Sequence, residues 1–134
     1  MFDLIVRGGL VVTPEGAGLG DVAIAGERIA AVGAPEALKD MPSARTIDAS
    51  GKIVLPGGVD PHIHCNWPVQ PGKDGGPPVL SAGSAPVSRA ALFGGTTTLI
   101  DFAVWNPGET LEQAIARRDG EWRGQCHCDY AFHV

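Results

Sequence analysis

Nine consecutive residues, Thr96-Thr-Thr-Leu-Ile-Asp-Phe-Ala-Val104, are β-branched or apolar almost throughout. A strand with one wet face alternates apolar and polar residues. An unbroken run of this kind therefore predicts a strand covered on both faces, and hence a parallel sheet with helices packed against it. The flanking sequence agrees. Upstream, Pro86 stands near the start of a helical stretch in which Val87, Ala90 and Ala91 share a stripe, and Gly94-Gly95 ends it. Downstream, Asn106-Pro-Gly108 turns the chain, Thr110 and Gln113 fit a capping box, and Leu111, Ile115, Arg118 and Trp122 line one face before Gly124. Val59 to His64 reads as a brief strand before the first helix, and Cys126 to Val134 as another after the second. The predicted order is strand, helix, strand, helix, strand, a βαβαβ unit with right-handed crossovers.

Residues 1–55 read differently. Leu4 to Val6 and Leu10 to Val12 flank Gly8-Gly9, Val22 and Ile24 alternate with smaller residues, and Ile29 to Val32 resumes the pattern after Gly26. This predicts an antiparallel meander of short strands. Lys52 to Leu55 is a further apolar run, and Pro56-Gly57-Gly58 then re-aims the chain. The predicted boundary falls there, with a small β-rich segment over 1–55 and an α/β segment over 56–134. Between His64 and the first helix, Asn66 to Gly83 is so rich in Pro and Gly that it reads as one long loop.

Composition excludes several classes of function. With 44% hydrophobic and 19% charged residues the chain lies far from the disordered corner. Ten Lys and Arg against fifteen Asp and Glu give a net charge of −5, with no basic run to meet a phosphate backbone or an anionic lipid surface. Nucleic acid and membrane are not expected partners. The start, MFDLIVRGGLVV, lacks a basic leader, and three cysteines are too few for a disulfide scaffold, so the expected setting is cytoplasmic.

The strongest chemical signal is Asp60-Pro-His-Ile-His-Cys65. On a strand, residues two apart point to one face, so the imidazoles of His62 and His64 would converge where one divalent metal could sit, with Asp60 on the same side. A chance His-x-His is the competing reading. Position favours the metal, because the pair closes a strand and precedes a long loop, where α/β proteins build their sites. Cys65 should face the opposite way. Cys126-His127-Cys128 could offer soft ligands, but core cysteines beside an exposed His127 is the preferred reading. His133 could be a satisfied core histidine or a group near the site, and the core reading is preferred. Asp101, inside an apolar run, must be paired or hydrogen-bonded; a structural acceptor for loop backbone amides is preferred over a partner of a ligand histidine. Trp67 and Trp105 follow strand ends and could wall a pocket, whereas Trp122 belongs to the core.

Pro-Gly-Gly-Val-Asp-Pro-His-Ile-His (56–64), Gly-Gly-Thr-Thr-Thr-Leu-Ile-Asp-Phe (94–102) and Asp-Tyr-Ala-Phe-His-Val (129–134) resemble, in order and spacing, the amino-terminal part of dihydropyrimidinases and D-hydantoinases, the cyclic-amide and cyclic-imide hydrolases of the amidohydrolase superfamily. The resemblance implies a metal-dependent (β/α)₈ barrel preceded by half of a small β-sandwich, with the barrel incomplete over these residues. It implies a binuclear centre, usually zinc, whose more buried metal would be held by His62 and His64. The family's bridging carboxylated lysine, two further histidines and an aspartate that serves as general base come from later strands, and none has a counterpart before residue 134. No catalytic residue is therefore expected here, and the substrate contacts are open. The loop after His64 departs from the family pattern, being longer and lacking an acidic pair. The implied substrate is a small cyclic amide, and the implied assembly a homo-oligomer, tetrameric in the family. On this reading the chain is an amino-terminal fragment, inactive by itself. The alternatives are a non-catalytic dihydropyrimidinase-like assembly subunit, against which retention of both histidines argues, and a small metal module using His62, His64 and the Cys126–Cys128 segment.

Overall fold

The computed structural model describes all of residues 1–134, in two compact units, Met1–Pro56 and Gly57–Val134.

In the first unit β1 (Phe2–Thr13) pairs antiparallel with β2 (Gly16–Ala25), which pairs antiparallel with β3 (Arg28–Gly33). The two runs around Gly8-Gly9 are one strand, not two. The register slips between Val6 and Gly9, where Gly8 adopts φ +70°, and the backbone passes the irregularity without turning back. Asp21 holds this bulge: its Oδ1 accepts from the Gly8 N–H at 2.8 Å and its Oδ2 from Arg7 at 3.1 Å. Both oxygens of a carboxylate that is 2% exposed are thereby satisfied. Arg7 also donates to the Leu38 carbonyl at 3.0 Å, tying a 3₁₀ turn (Pro35–Leu38) to the sheet. Leu38 then packs on Ile5 and Ala23 as the core of this unit.

The meander is only partly realised. β4 (Ser43–Asp48) and β5 (Ile53–Val54) both lie parallel to β1, along the edge that β2 leaves free. Alternation along a strand reports which face is buried; it carries no information about the direction of the neighbour.

The second unit opens at Gly57, where an added Cβ would lie 2.0 Å from Thr97 Oγ1, so only glycine lets the chain pass. β6 is three residues, Gly58–Asp60, and the strand expected as far as His64 ends before both histidines. The long connection that follows contains a two-stranded antiparallel ladder, β7 (Pro68–Gln70) with β8 (Val79–Leu80), where a featureless loop is predicted. Then come α1 (Ser84–Phe93), β9 (Thr96–Phe102), α2 (Leu111–Trp122) and β10 (Asp129–His133). The sheet runs β10-β9-β6, all parallel, with a helix in each connection.

Helix boundaries follow local chemistry. Thr110 Oγ1 accepts from the Gln113 N–H while the Gln113 side chain accepts from the Thr110 N–H, the reciprocal capping box. Gly94 caps α1 and Gly95 takes φ +83°, the left-handed conformation that ends it. The faces are rotated from expectation. α2 buries Ala114, Arg118 and Trp122, leaving Leu111 and Ile115 exposed. α1 buries Ser84 and Ser88, with Val87 and Ala91 half-buried and Ala90 exposed. β9 is deeply buried on one face only, at Leu99 and Asp101, while Thr98, Ile100 and Phe102 on the other are half-buried. The last strand starts three residues later than predicted, at Asp129. Cys65, Leu99 and Trp122 form the core, with Cys126, Cys128, Tyr130 and Phe132 packed against it. No helix is long and apolar enough to cross a membrane.

Candidate metal centre

His62 and His64 lie just past the carboxyl end of β6 rather than on it. They still behave as strand residues, because Ile63 between them donates its N–H to the Ile100 carbonyl at 3.1 Å and extends the pairing with β9. Both imidazoles therefore project to one side, and their Nε2 atoms come within 3.2 Å of each other. Two nitrogen lone pairs facing at that distance repel unless a proton or a cation lies between them. Two imidazole donors on one tetrahedral zinc, at Zn–N of about 2.0–2.1 Å, would be about 3.3 Å apart. The spacing fits a shared cation. No third His, Cys, Asp or Glu joins them to make a three-donor cluster. Asp60 serves the backbone instead, its Oδ1 accepting from the His62 N–H at 3.2 Å.

The pair sits on an aromatic platform. The Phe102 ring lies 4.7 Å from His62 and 4.9 Å from His64, and Trp67 packs on His64 at 4.5 Å. His133 reaches the same place, which corrects its expected position in the core. It is exposed, stacks on Phe102 at 4.8 Å and hydrogen-bonds the Pro61 carbonyl at 2.8 Å. The β7–β8 excursion is tied back to the pair by Ser81, whose Oγ donates to the His64 carbonyl at 2.7 Å and accepts from the Trp67 N–H at 2.9 Å. Trp67 and Phe102 also line a cavity of about 580 Å³, with Val104 and Arg118 on its other walls. Trp105 is not among its lining residues; its indole donates to the Glu109 carbonyl at 2.6 Å.

On the other face of the sheet the geometry is structural. Cys65 is 1% exposed, and burial pushes its thiol up to about 11, unsuited to nucleophilic work. Asp101 is fully buried and accepts from Arg118 at 2.6 Å, with the Phe102 N–H at 2.7 Å on its other oxygen. Arg118 also donates to the Cys65 carbonyl and to Glu121. Asp101 is thus a structural acceptor, but its chief partner is the Arg118 guanidinium, which periodicity does not reveal, with the Cys65 N–H at 3.4 Å as the loop amide. The sequence pattern places Arg118 on an apolar stripe, and a charge at such a position is itself the signal for a buried partner. Cys126 and Cys128 are half-buried, their Sγ atoms 3.8 Å apart, and His127 is exposed. Glu109, held by Arg117 and by the Asn106 amides, has its carboxyl lowered to about 2.

The fold of the chain is that of solved α/β hydantoinase structures. The dihydropyrimidinase of Brevibacillus agri superposes with a TM-score of 0.83 at 38% identity, covering 99% of this chain and 27% of that one. In sequence, the chain is 38% identical over 132 residues to a D-hydantoinase of Streptomyces coelicolor, covering 97% of this chain and 27% of the relative. It is 35% identical to the dihydropyrimidinase of Rattus norvegicus, over 98% of this chain and 24% of the relative. No family model matches. By sequence and fold the chain is similar to D-hydantoinases and dihydropyrimidinases over nearly its whole length, as expected of an amino-terminal portion. It spans about a quarter of the length of the curated relatives it matches.

Proposed function

We propose that residues 1–134 are the first portion of a metal-dependent hydrolase of cyclic amides or imides, of the hydantoinase or dihydropyrimidinase type, and that His62 and His64 are two of its metal donors. The observation that carries this reading is the 3.2 Å approach of the two Nε2 atoms at the carboxyl end of a parallel strand. Catalytic zinc sites use three protein donors and keep one position open, so the remaining donors must come from outside these residues. A divalent cation held there would polarise a ring carbonyl and lower the pKa of water. The contribution of this chain is binding and orientation. Ile63 pins the backbone between the donors, and Phe102 and Trp67 fix the two rings against rotation. On the same reading Met1–Pro56 is part of a β-sandwich and Gly57–Val134 the opening strands of a (β/α)₈ barrel, with a homo-oligomer as the assembled form.

The test is metal analysis with hydrolysis of hydantoin and dihydrouracil by the full-length protein that carries these residues. His64→Ala should lower bound metal and ring-opening together. A double alanine variant at both positions with unchanged metal content and rate would refute the assignment.

A further inference from the structure

β6 and β10 do not touch as strands, since β9 lies between them. A single side chain nevertheless joins their carboxyl ends. His133 pairs in register with Phe102 on β9, and its Nε2 reaches 2.8 Å from the Pro61 carbonyl on the far side. We propose that His133 is a positioning residue for the His62/His64 pair, acting on it through the Pro61 carbonyl and through the ring of Phe102. The inference rests on the reading of the two histidines as metal donors.

Past Asp60 the ladder between β6 and β9 retains Ile63 as donor, and Pro61 has no N–H with which to extend it. The Pro61 carbonyl would otherwise point from an irregular segment directly before the first donor. A carbonyl can only accept, so Nε2 of His133 carries the proton and its tautomer is defined. That hydrogen bond holds the backbone entering His62 from one side, while Asp60 holds the His62 N–H from the other.

The second restraint is on the rings. Phe102 stands among three imidazoles, with centroids 4.7, 4.9 and 4.8 Å from His62, His64 and His133. His133 packs on the same Phe102 ring as the two donor imidazoles, so the three share one platform. His133 is not offered as a donor itself, because its Nε2 is committed to Pro61 and it does not group with the pair as a third ligand. A chain that keeps two donor nitrogens 3.2 Å apart without a third donor in reach depends on such outer supports for its preorganisation.

The experiment measures zinc and cobalt affinity of the full-length protein by competition with a chromophoric chelator, together with the visible spectrum of bound cobalt. His133→Phe keeps the ring on Phe102 and loses the hydrogen bond; its affinity should fall by about tenfold to a hundredfold, with an altered cobalt spectrum. His133→Gln keeps a donor at similar reach but loses the ring on Phe102, so it should recover part of the affinity that His133→Phe loses. A folded His133→Phe with wild-type affinity and spectrum overturns the proposal. If His133→Phe does not fold, His133→Ala, which removes both supports, decides alone, and wild-type affinity and cobalt spectrum there overturn the proposal. His62→Ala separates the two readings. Unchanged affinity in that variant refutes the donor assignment itself, whereas a weakened His62→Ala beside an unchanged His133→Phe refutes only the positioning role.

Discussion

The Asp101 carboxylate meets the Arg118 guanidinium at 2.6 Å beneath β9, where the aspartate is fully buried and the arginine side chain is 8% exposed. Arg118 adds the Cys65 carbonyl and Glu121 to this contact, so one cation links β9, α2 and the segment that follows the histidines. A buried pair of this kind gains little over a well-packed apolar replacement, but removing one partner leaves buried hydrogen-bonding groups of the other unmatched.

Asp101→Ala should therefore cost about 3–5 kcal/mol in denaturant unfolding, the usual penalty for breaking a buried pair, with Glu121 left as the remaining carboxylate on Arg118. The double change Asp101→Leu with Arg118→Met should recover much of that loss, though not all, because the Cys65 carbonyl loses its donor. An Asp101→Ala protein within about 1 kcal/mol of the wild type would show that the pair is not isolated from water.

Acidification should weaken the start of α2. The Glu109 carboxyl is lowered from 4.5 to about 2, first by its hydrogen bond with Arg117. A folded-state pKa below the unfolded one means that the charged, paired form stabilises the native state above about pH 4.5, and that this contribution disappears as pH falls from there through about 2. Asp119, lowered by Tyr130 and Arg123, adds to the trend in the same direction. Urea midpoints measured across this window should fall, and Glu109→Gln should flatten the fall. An identical pH profile for the variant would contradict this account.

Cys65 should be inert while the protein is folded. It is 1% exposed, its thiol lies at about 11, and at pH 8 scarcely any thiolate is present. Iodoacetamide treatment followed by peptide mass analysis should leave Cys65 unlabelled until denaturant is added. Rapid labelling of native Cys65 would place it at the surface.

Residues 1–134 as a separate polypeptide should not open hydantoin or dihydrouracil with added zinc, cobalt or manganese. Two donors do not make a catalytic site, and no third one stands near them. Turnover that depends on metal and is lost in His62→Ala would mean that two histidines suffice.

Elements whose causes are local were legible in the sequence. The Thr110–Gln113 box, the Gly94-Gly95 stop, the run from Thr96 and the two-residue spacing of the histidines each express an interaction among residues a few positions apart. They sufficed for the strand-helix alternation and for the convergence of His62 and His64. Tertiary structure decided what depends on chain closure. Nothing local told that β4 and β5 would run parallel to β1, that Arg118 would find Asp101, or that His133 would leave the expected core. Those partners lie far apart along the chain, 72 residues apart for His133 and Pro61. Periodicity reports that a face must be buried and that a charge must be paired; only the packed sheet determines which group is there to do it.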